Sequence, residues 1–396
     1  MSGTHAILAP SSADVWVKCS GSVTLGALYP QEDTDATREG EAAHWVVSTC
    51  LDSYQQPDTL VLSSQLLGTE APNGVIITDE MIDAADVMID AVLELCQADG
   101  LLRSMRVEEW VPIHKIHAEN AGTPDLWIWD EKTLHLHVWD FKYGHGGVSA
   151  EENWQCIDYA AGILDKLGID GHTEQMVKVT IYVVQPRCYD GNGSIKTWTI
   201  PAIELRPYFN KLEAAANEAL GPNPICRSGT HCKYCPAIHA CVSARQSAHA
   251  VVDFVHSAVP DDLTDAGLSF ELQLLEAAKG ALENRLKAAQ AESMARLSRG
   301  NIINGYGVEQ GKGNRKFDAP IDELQMLGDL IGIKLLDDPK PITPAEFDKR
   351  LKKINKDRAT PIDPSVINSY ISTPATGTKL VKVADSKAHK VFGRSK

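Results

Sequence analysis

Four short apolar runs rich in tryptophan, valine and isoleucine constrain the fold of this chain more than any other feature. The runs are 107–113, 124–130, 134–142 and 177–185. The first three are separated by short polar turns, which predicts an antiparallel meander, and the last is continuously apolar, as in a buried central strand. Apolar residues at helical spacing predict helices at 36–54, 79–97, 151–167 and near 206–220. This order predicts an α/β fold in which helices flank a mixed sheet.

The character of the sequence changes beyond about residue 250, and 396 residues exceed the usual size of one domain. We predict a core domain at 1–250, a mainly helical extension at 251–340 and a basic tail at 341–396. Within the extension, a long helix is predicted at 268–297 and a basic, glycine-rich hairpin at 305–318. One leucine stripe on the long helix predicts a packing face and consists of Leu268, Leu272, Leu275, Leu282 and Leu286.

The charge balance limits which partners the chain can bind. A net charge of −15 opposes wholesale coating of nucleic acid, which needs many Lys and Arg residues. From Pro341 onward, however, 12 Lys and Arg accompany 5 Asp and Glu, a balance of +7, so the first 340 residues carry −22. This asymmetry predicts either a basic arm on an acidic body or a solvated tail.

Signals for export or membrane insertion are missing from the sequence. No apolar run approaches the roughly 18 residues that a membrane span needs, and the first residues lack the basic and apolar segments of a secretory signal. We therefore expect a cytoplasmic protein with no membrane partner. In that reducing compartment its nine cysteines should be thiols or metal ligands.

Two aspartates and a lysine at strand ends are the candidate catalytic group. Asp140 and Lys142 end one apolar run, and because strand side chains alternate, both point the same way with Phe141 turned to the core. Asp125 begins the preceding run, so antiparallel pairing would bring both carboxylates to one magnesium or manganese ion. The lysine would orient the attacking water or help to remove its proton, and it would stabilise the negative charge that develops during hydrolysis of a phosphodiester. The alternative is an ordinary Asp–Lys pair at the surface.

Three further side chains complete an ordered set around this group. Gln155 and Tyr159 lie four residues apart on the helix that follows the lysine, and His44 lies on an earlier helix. Together with the Gly-Thr-Pro-Asp and Trp-Asp-Phe-Lys motifs between them, this order resembles the RecB-like branch of the PD-(D/E)XK nucleases over about 120 residues.

That resemblance implies a restriction-endonuclease-like mixed sheet and metal-dependent hydrolysis of phosphodiesters. The implied metal ligands are His44, Asp125, Asp140 and the backbone carbonyl of Phe141. In the same family the lysine equivalent to Lys142 acts on the water that attacks the phosphodiester. The pair equivalent to Gln155 and Tyr159 supports the site and contacts DNA.

A second candidate site is the C-x2-C-x5-C set formed by Cys232, Cys235 and Cys241, with Cys226 six residues upstream. Thiolates at this spacing suit a zinc ion or an iron–sulfur cluster, and a local zinc site with Cys226 is one candidate. The set also resembles RecB-like nucleases of the AddB type and the CRISPR-adaptation nucleases, which place a fourth cysteine before the core. The resemblance implies Cys19 as that ligand of a 4Fe–4S cluster, closing a loop of about 210 residues. The cysteines predicted to be small buried side chains are Cys50, Cys96, Cys156 and Cys188.

Three longer sequence segments resemble a phage and prophage family of RecB-like exonucleases. The segments are WDFKYGHG at 139–146, VSAEENWQ at 148–155 and HCKYC at 231–235. The resemblance implies an exonuclease that prepares DNA ends or single strands for recombination beside a phage annealing recombinase. A rival hypothesis is a non-catalytic DNA-binding or scaffold protein that uses the cysteine module and the basic tail. The intact Asp-Asp-Lys set argues against this hypothesis. An RNA-directed or defence nuclease with the same chemistry stays open.

Overall fold

The described secondary structure follows the predicted alternation of helices and strands. A computed structural model describes residues 6–29, 34–55, 59–188, 193–254, 264–312, 316–337, 340–355, 362–372 and 375–382. The helices are α1 (Ala13–Trp16), α2 (Gly21–Gly26), α3 (Asp35–Ser53), α4 (Asp79–Asp99), α5 (Trp154–Lys166), α6 (Arg206–Ala219), α7 (Val242–Phe254), α8 (Asp265–Ser298), α9 (Ile321–Ile331) and α10 (Pro344–Asn355). The strands are β1 (Met105–Val107), β2 (Val111–Pro112), β3 (Ala121–Gly122), β4 (Leu126–Asp130), β5 (His135–Phe141), β6 (Lys178–Val184), β7 (Ile195–Pro201), β8 (Tyr306–Lys312), β9 (Lys316–Phe317), β10 (Leu336–Asp337), β11 (Lys340–Pro341), β12 (Ile371–Ser372) and β13 (Ala375–Lys382).

Five strands of the first 201 residues form one mixed sheet in the order β1-β4-β5-β6-β7. β5 and β6 are parallel, and every other neighbouring pair in this sheet is antiparallel. The predicted meander corresponds to β1, β4 and β5, and the continuous apolar run supplies the inner strand β6. The predicted α/β class, with a mixed sheet flanked by helices and a helical C-terminal part, is confirmed. The strand β7 was not predicted.

Each face of the sheet packs into its own hydrophobic core. Leu136 and Val138 of β5 belong to the core that includes α5 and α6. Trp139 and Phe141, which alternate with them, belong to the core that includes α3 and α4. Because side chains alternate along a strand, this arrangement turns the intervening Asp140 to the α5 side of the sheet.

The first predicted strand, 107–113, is interrupted in the structure. β1 ends at Val107, Glu108 has a φ of +44°, and β2 begins at Val111 and pairs with β3. A residue other than glycine in this region carries backbone strain of about 1–3 kcal/mol, which persists only where the surroundings enforce it. The positive φ at Glu108 thus separates β1 from β2.

The chain divides into two units, Met1–Leu286 and Lys287–Lys396, and the division falls inside α8. The borders predicted at residues 250 and 340 do not coincide with this division. Ile342 and Phe347, which follow residue 340, share a core with Ile331 and other residues that precede it. The charge count concealed this packing, since α10 carries both basic residues and apolar ones. Within the predicted tail, 356–361, 373–374 and 383–396 lie outside the described residues.

Two local predictions for the C-terminal half differ from the structure. The hairpin predicted at 305–318 is wrong in its pairing, because β8 pairs with β13 and β9 with β12; residues 313–315 lie outside the described ranges. The leucine stripe of α8, predicted as a packing face, is 37–59% exposed. In the parts of the chain that the structure describes, no helix combines the length and apolarity that crossing a membrane requires.

Candidate active site and cysteine cavity

Side chains from separate elements of the first unit converge on a cleft of about 650 Å³. Six predicted site residues line it, namely His44, Asp125, Asp140, Lys142, Gln155 and Tyr159. His44 comes from α3, the aspartates and the lysine from the ends of β4 and β5, and the last two from the first half of α5. The capping residue Asn153 starts α5, since its side chain accepts a hydrogen bond from the Cys156 N–H.

Asp125 holds the two adjacent strands and the early helix together. Its Oδ2 accepts a 2.6 Å hydrogen bond from the backbone N–H of Phe141, and its Oδ1 lies 3.2 Å from Nδ1 of His44. The buried Phe141 ring also contacts the His44 ring edge-on, with centroids 5.2 Å apart. These contacts bring His44 and Asp125, two of the three predicted side-chain ligands, next to each other and to the backbone of Phe141.

Asp140 and Lys142 form an ion pair beside Asp125, in which the carboxylate is buried and the lysine is partly exposed. Lys142 Nζ lies 3.0 Å from Asp140 Oδ1 and donates a second hydrogen bond of 3.0 Å to Gln155 Oε1. The other carboxylate oxygen, Asp140 Oδ2, is buried and has no hydrogen-bond partner among the described residues. Since an unpartnered buried oxygen is costly, this atom is the best candidate contact for a cation.

The charged groups in the cleft shift one another's pKa values, and the two carboxyl groups are shifted in opposite directions. Burial works to lower the pKa of Lys142, but the carboxylates of Asp140 and Asp125 outweigh it and the pKa is raised. Burial raises the pKa of Asp140, whereas at Asp125 the effect of burial is outweighed by His44 and the pKa is lowered. At neutral pH Lys142 is therefore an ammonium ion, suited to orienting a water rather than to removing its proton.

Tyr159 and Gly122 fix the turn that presents Asp125. The Tyr159 hydroxyl donates a 3.0 Å hydrogen bond to the carbonyl of Thr123. A Cβ on Gly122 would lie 2.8 Å from Pro10 and 3.0 Å from the Tyr159 ring, so only glycine fits this close approach. The conformation of the Gly-Thr-Pro-Asp turn thus depends on α5 and on the N-terminal segment together.

Glu108 was not predicted as a site residue, although its side chain lines the same cleft. Its backbone N–H donates to the Asp125 carbonyl at 3.1 Å, and its φ is positive. Burial first, and then the Asp125 charge, raises the pKa of Glu108. The signal that was available is the pair of adjacent glutamates interrupting an otherwise apolar run.

Five cysteines line a second, much smaller cavity in the first unit. They are Cys19, Cys226, Cys232, Cys235 and Cys241. The fold thus brings the N-terminal cysteine to the distant set, as the resemblance implied, and it brings Cys226 there as well. The other four cysteines, Cys50, Cys96, Cys156 and Cys188, are buried elsewhere, as predicted.

Backbone contacts join the N-terminal segment to the cysteine segment. Ser20 Oγ accepts a 2.9 Å hydrogen bond from Ile225 N–H, and Gly21 N–H donates to the Ile225 carbonyl at 3.0 Å. A Cβ at Gly21 would lie 2.6 Å from Cys226 Sγ, so glycine is required for this approach. Cys19 Sγ accepts a 3.2 Å hydrogen bond from Arg227 N–H.

The cysteine cavity also contains a histidine that the sequence did not single out. His231 lines it, and its Nε2 lies 2.9 Å from the Arg227 carbonyl. Burial works to raise the pKa of Cys19, but hydrogen bonds from His231 and Arg227 outweigh it and the pKa is lowered. Burial and the neighbouring cysteines raise the pKa of Cys226 to about 11. Cys19 is therefore the more readily ionised of the two thiols.

Neither region forms a finished coordination shell. As placed, no group of three or more His, Cys, Asp or Glu side chains within the described ranges is arranged to hold a metal ion. The residues nevertheless fit the implied groups by donor type. An unpartnered buried carboxylate oxygen suits a hard cation in the cleft, and several thiols around one cavity suit zinc or an iron–sulfur cluster.

The fold and the cleft define an α/β protein with a buried Asp-Asp-Lys group at the end of a mixed sheet. The chain belongs to the family described as "Protein of unknown function (DUF2800)", whose sequence profile matches residues 5–388.

A buried carboxyl next to the site predicts an unusual pH dependence of stability. Both oxygens of Asp158 accept hydrogen bonds from Asn120 Nδ2, at 2.8 and 3.0 Å, and burial raises its pKa to about 8. The folded protein therefore holds a proton that the unfolded chain releases above about pH 4. This contribution to stability is present at acidic pH and lost as the pH rises toward 8.

Replacing Asp158 with Asn should therefore stabilise the protein more at pH 8 than at pH 5, because the amide needs no proton to stay neutral. Urea unfolding at both pH values measures the difference from the unsubstituted protein. The control is D165N on the exposed face of the same helix, for which we expect no such trend. A D158N difference that does not grow between pH 5 and pH 8 would show that Asp158 is already ionised in the fold at pH 5.

Proposed function

We propose that the cleft hydrolyses phosphodiester bonds of DNA with magnesium or manganese as its cofactor. The observation that carries the proposal is the unpartnered oxygen of Asp140, buried beside a second carboxylate and a charged lysine. A structural ion pair would be expected to satisfy both oxygens of a buried carboxylate. An oxygen left free beside an ammonium ion suits a cation and a water instead.

Each residue then has a defined task. His44, Asp125, Asp140 and the Phe141 carbonyl would hold the cation, which when bound supplies Lewis-acid polarisation of the phosphate and a more acidic water. Lys142, fixed by Gln155, orients the attacking water and offsets the charge that develops on the phosphate oxygens. Tyr159 keeps the Asp125 turn in place through Thr123.

The cysteine cavity is proposed to hold a 4Fe–4S cluster with a structural role, zinc being the alternative. The support is the convergence of Cys19 with the C-x2-C-x5-C set, which local spacing alone does not require. A cluster bound there would join the N-terminal segment to the segment that follows α6. Resemblance to RecB-like phage exonucleases supports an exonuclease acting in DNA recombination in the cytoplasm, beside an annealing recombinase.

Digestion of end-labelled linear DNA and of closed circular DNA tests the proposal. We expect magnesium or manganese to support degradation of the linear molecule and not of the circle, and excess chelator to stop it. Cleavage of both would assign an endonuclease. A protein with its metals bound that degrades neither molecule would contradict the proposed function.

A further inference from the structure

The cleft contains aromatic surface that the hydrolytic group does not use. Trp110 lines it with 51% of its surface exposed, and Trp45, the neighbour of His44 on α3, lines it partly buried. Trp45 packs against the core that includes α3 and α4, so its ring is anchored. Trp110 lies two residues from the strained Glu108, in the segment between β1 and β2. A tryptophan half exposed inside a cleft is surface for a ligand to cover.

The charges of the cleft indicate what kind of contact a nucleic acid can make there. Among the described residues that line it, the carboxylates are Glu41, Glu108, Asp125 and Asp140, and Lys142 is the single Lys or Arg. Lys142 is moreover engaged by Asp140 and Gln155. Neutralisation of several phosphates, the usual source of affinity for duplex DNA, is therefore not available within this cleft.

We propose that Trp110, assisted by Trp45, stacks on unpaired bases, so that the cleft accepts single-stranded DNA next to the scissile phosphate. The inference rests on the proposed function and specifies its substrate. Bases in a duplex are already stacked and paired, whereas an unpaired base offers a free face to an aromatic side chain. A cleft of about 650 Å³ is the size of a small-molecule pocket, which suits a few unpaired nucleotides rather than a duplex.

Binding measured without hydrolysis separates this inference from the chemistry. The probe is a fluorescently labelled oligo-dT in excess chelator, with a labelled duplex of the same length for comparison and anisotropy as the readout. W110A should weaken oligo-dT binding by about tenfold to a hundredfold, as loss of one stacked base does. Duplex binding should change less.

Two variants and one control make the result specific to the ring. W110F should retain most of the affinity, whereas W110L, which keeps apolar bulk without an aromatic face, should lose as much as W110A. The control is M176A, because Met176 is 62% exposed and is not among the residues lining the cleft. Circular dichroism of each variant verifies folding.

Three outcomes would overturn the inference: unchanged oligo-dT binding by W110A and W110L, an equal loss of single-stranded and duplex binding, or tighter binding of oligo-U than of oligo-dT. The last would assign RNA instead of DNA. If linear DNA is still degraded while Trp110 proves silent, only the stacking inference fails. If binding depends on Trp110 but no DNA is degraded, stacking is supported and the proposed hydrolysis fails.

Discussion

Replacing Asp140 with Asn should reduce DNA hydrolysis about a thousandfold or more, roughly 4 kcal/mol in activation free energy. The amide keeps the size of the side chain but removes the negative charge from the oxygen that lacks a protein partner. K142A should have a similar effect, because the ammonium held by Gln155 is lost from beside that oxygen. Rates are measured on end-labelled linear DNA at saturating magnesium or manganese.

Matched substitutions outside the cleft control for changes in charge and in the fold. D165N alters an exposed aspartate of α5, and K178A removes an exposed lysine from β6 of the same sheet. Both should retain hydrolysis near that of the unsubstituted protein, and all four variants should show the same circular dichroism. Near-normal turnover by D140N or K142A would remove these residues from the reaction and favour a DNA-binding role without catalysis.

The sequence predicted the sheet well wherever burial on both faces set the composition. The runs at 124–130, 134–142 and 177–185 became β4, β5 and β6 because tryptophan and β-branched residues there pack into cores on the two faces. β7 was overlooked, since its residues IKTWTIP alternate between apolar and polar side chains and all but one are half-exposed or exposed. Edge strands carry less of the apolar signal from which strands are predicted.

Predictions from local spacing failed where pairing is set by distant partners. The segment at 305–318 has the glycines and basic residues of a hairpin, but its strands pair with 371–372 and 375–382, more than fifty residues further along the chain. Likewise, the periodicity of the run at 107–113 does not predict that the strand is interrupted at Glu108, whose N–H donates a hydrogen bond to the Asp125 carbonyl. Such contacts depend on the complete fold and are not encoded by periodicity.

The site residues were predictable in identity only in part. Asp140 and Lys142 followed from alternation along a strand, and Gln155 and Tyr159 from helical spacing. His44 is 81 positions before Asp125, and no rule of local spacing connects the two residues. They were connected only by the order of motifs that the chain shares with the RecB-like nucleases. Glu108, Trp110 and His231 were missed because each lies in a segment whose backbone course periodicity does not determine.

Replacing Cys19 with Ser should remove the metal from the cysteine cavity and destabilise the protein. Protein purified without oxygen should be brown and contain about four iron atoms per chain, whereas C19S should be colourless and nearly free of iron. Because a cluster binds the folded state and not the unfolded state, its loss should lower the Tm of the protein by about 5 °C or more. Iron analysis, visible absorption and thermal unfolding measure these effects.

Two further substitutions decide which thiols hold the metal. C50S is the control, since Cys50 is buried on α3 and is not among the residues lining the cavity, and it should keep its iron. C226S should also keep it, although Cys226 lines the cavity, because the resemblance makes Cys19, which accepts the Arg227 N–H, the fourth ligand. If C226S loses its metal while C19S keeps it, the site is local and the assignment of Cys19 as the fourth ligand is wrong. Stoichiometric zinc in place of iron would contradict the iron–sulfur assignment.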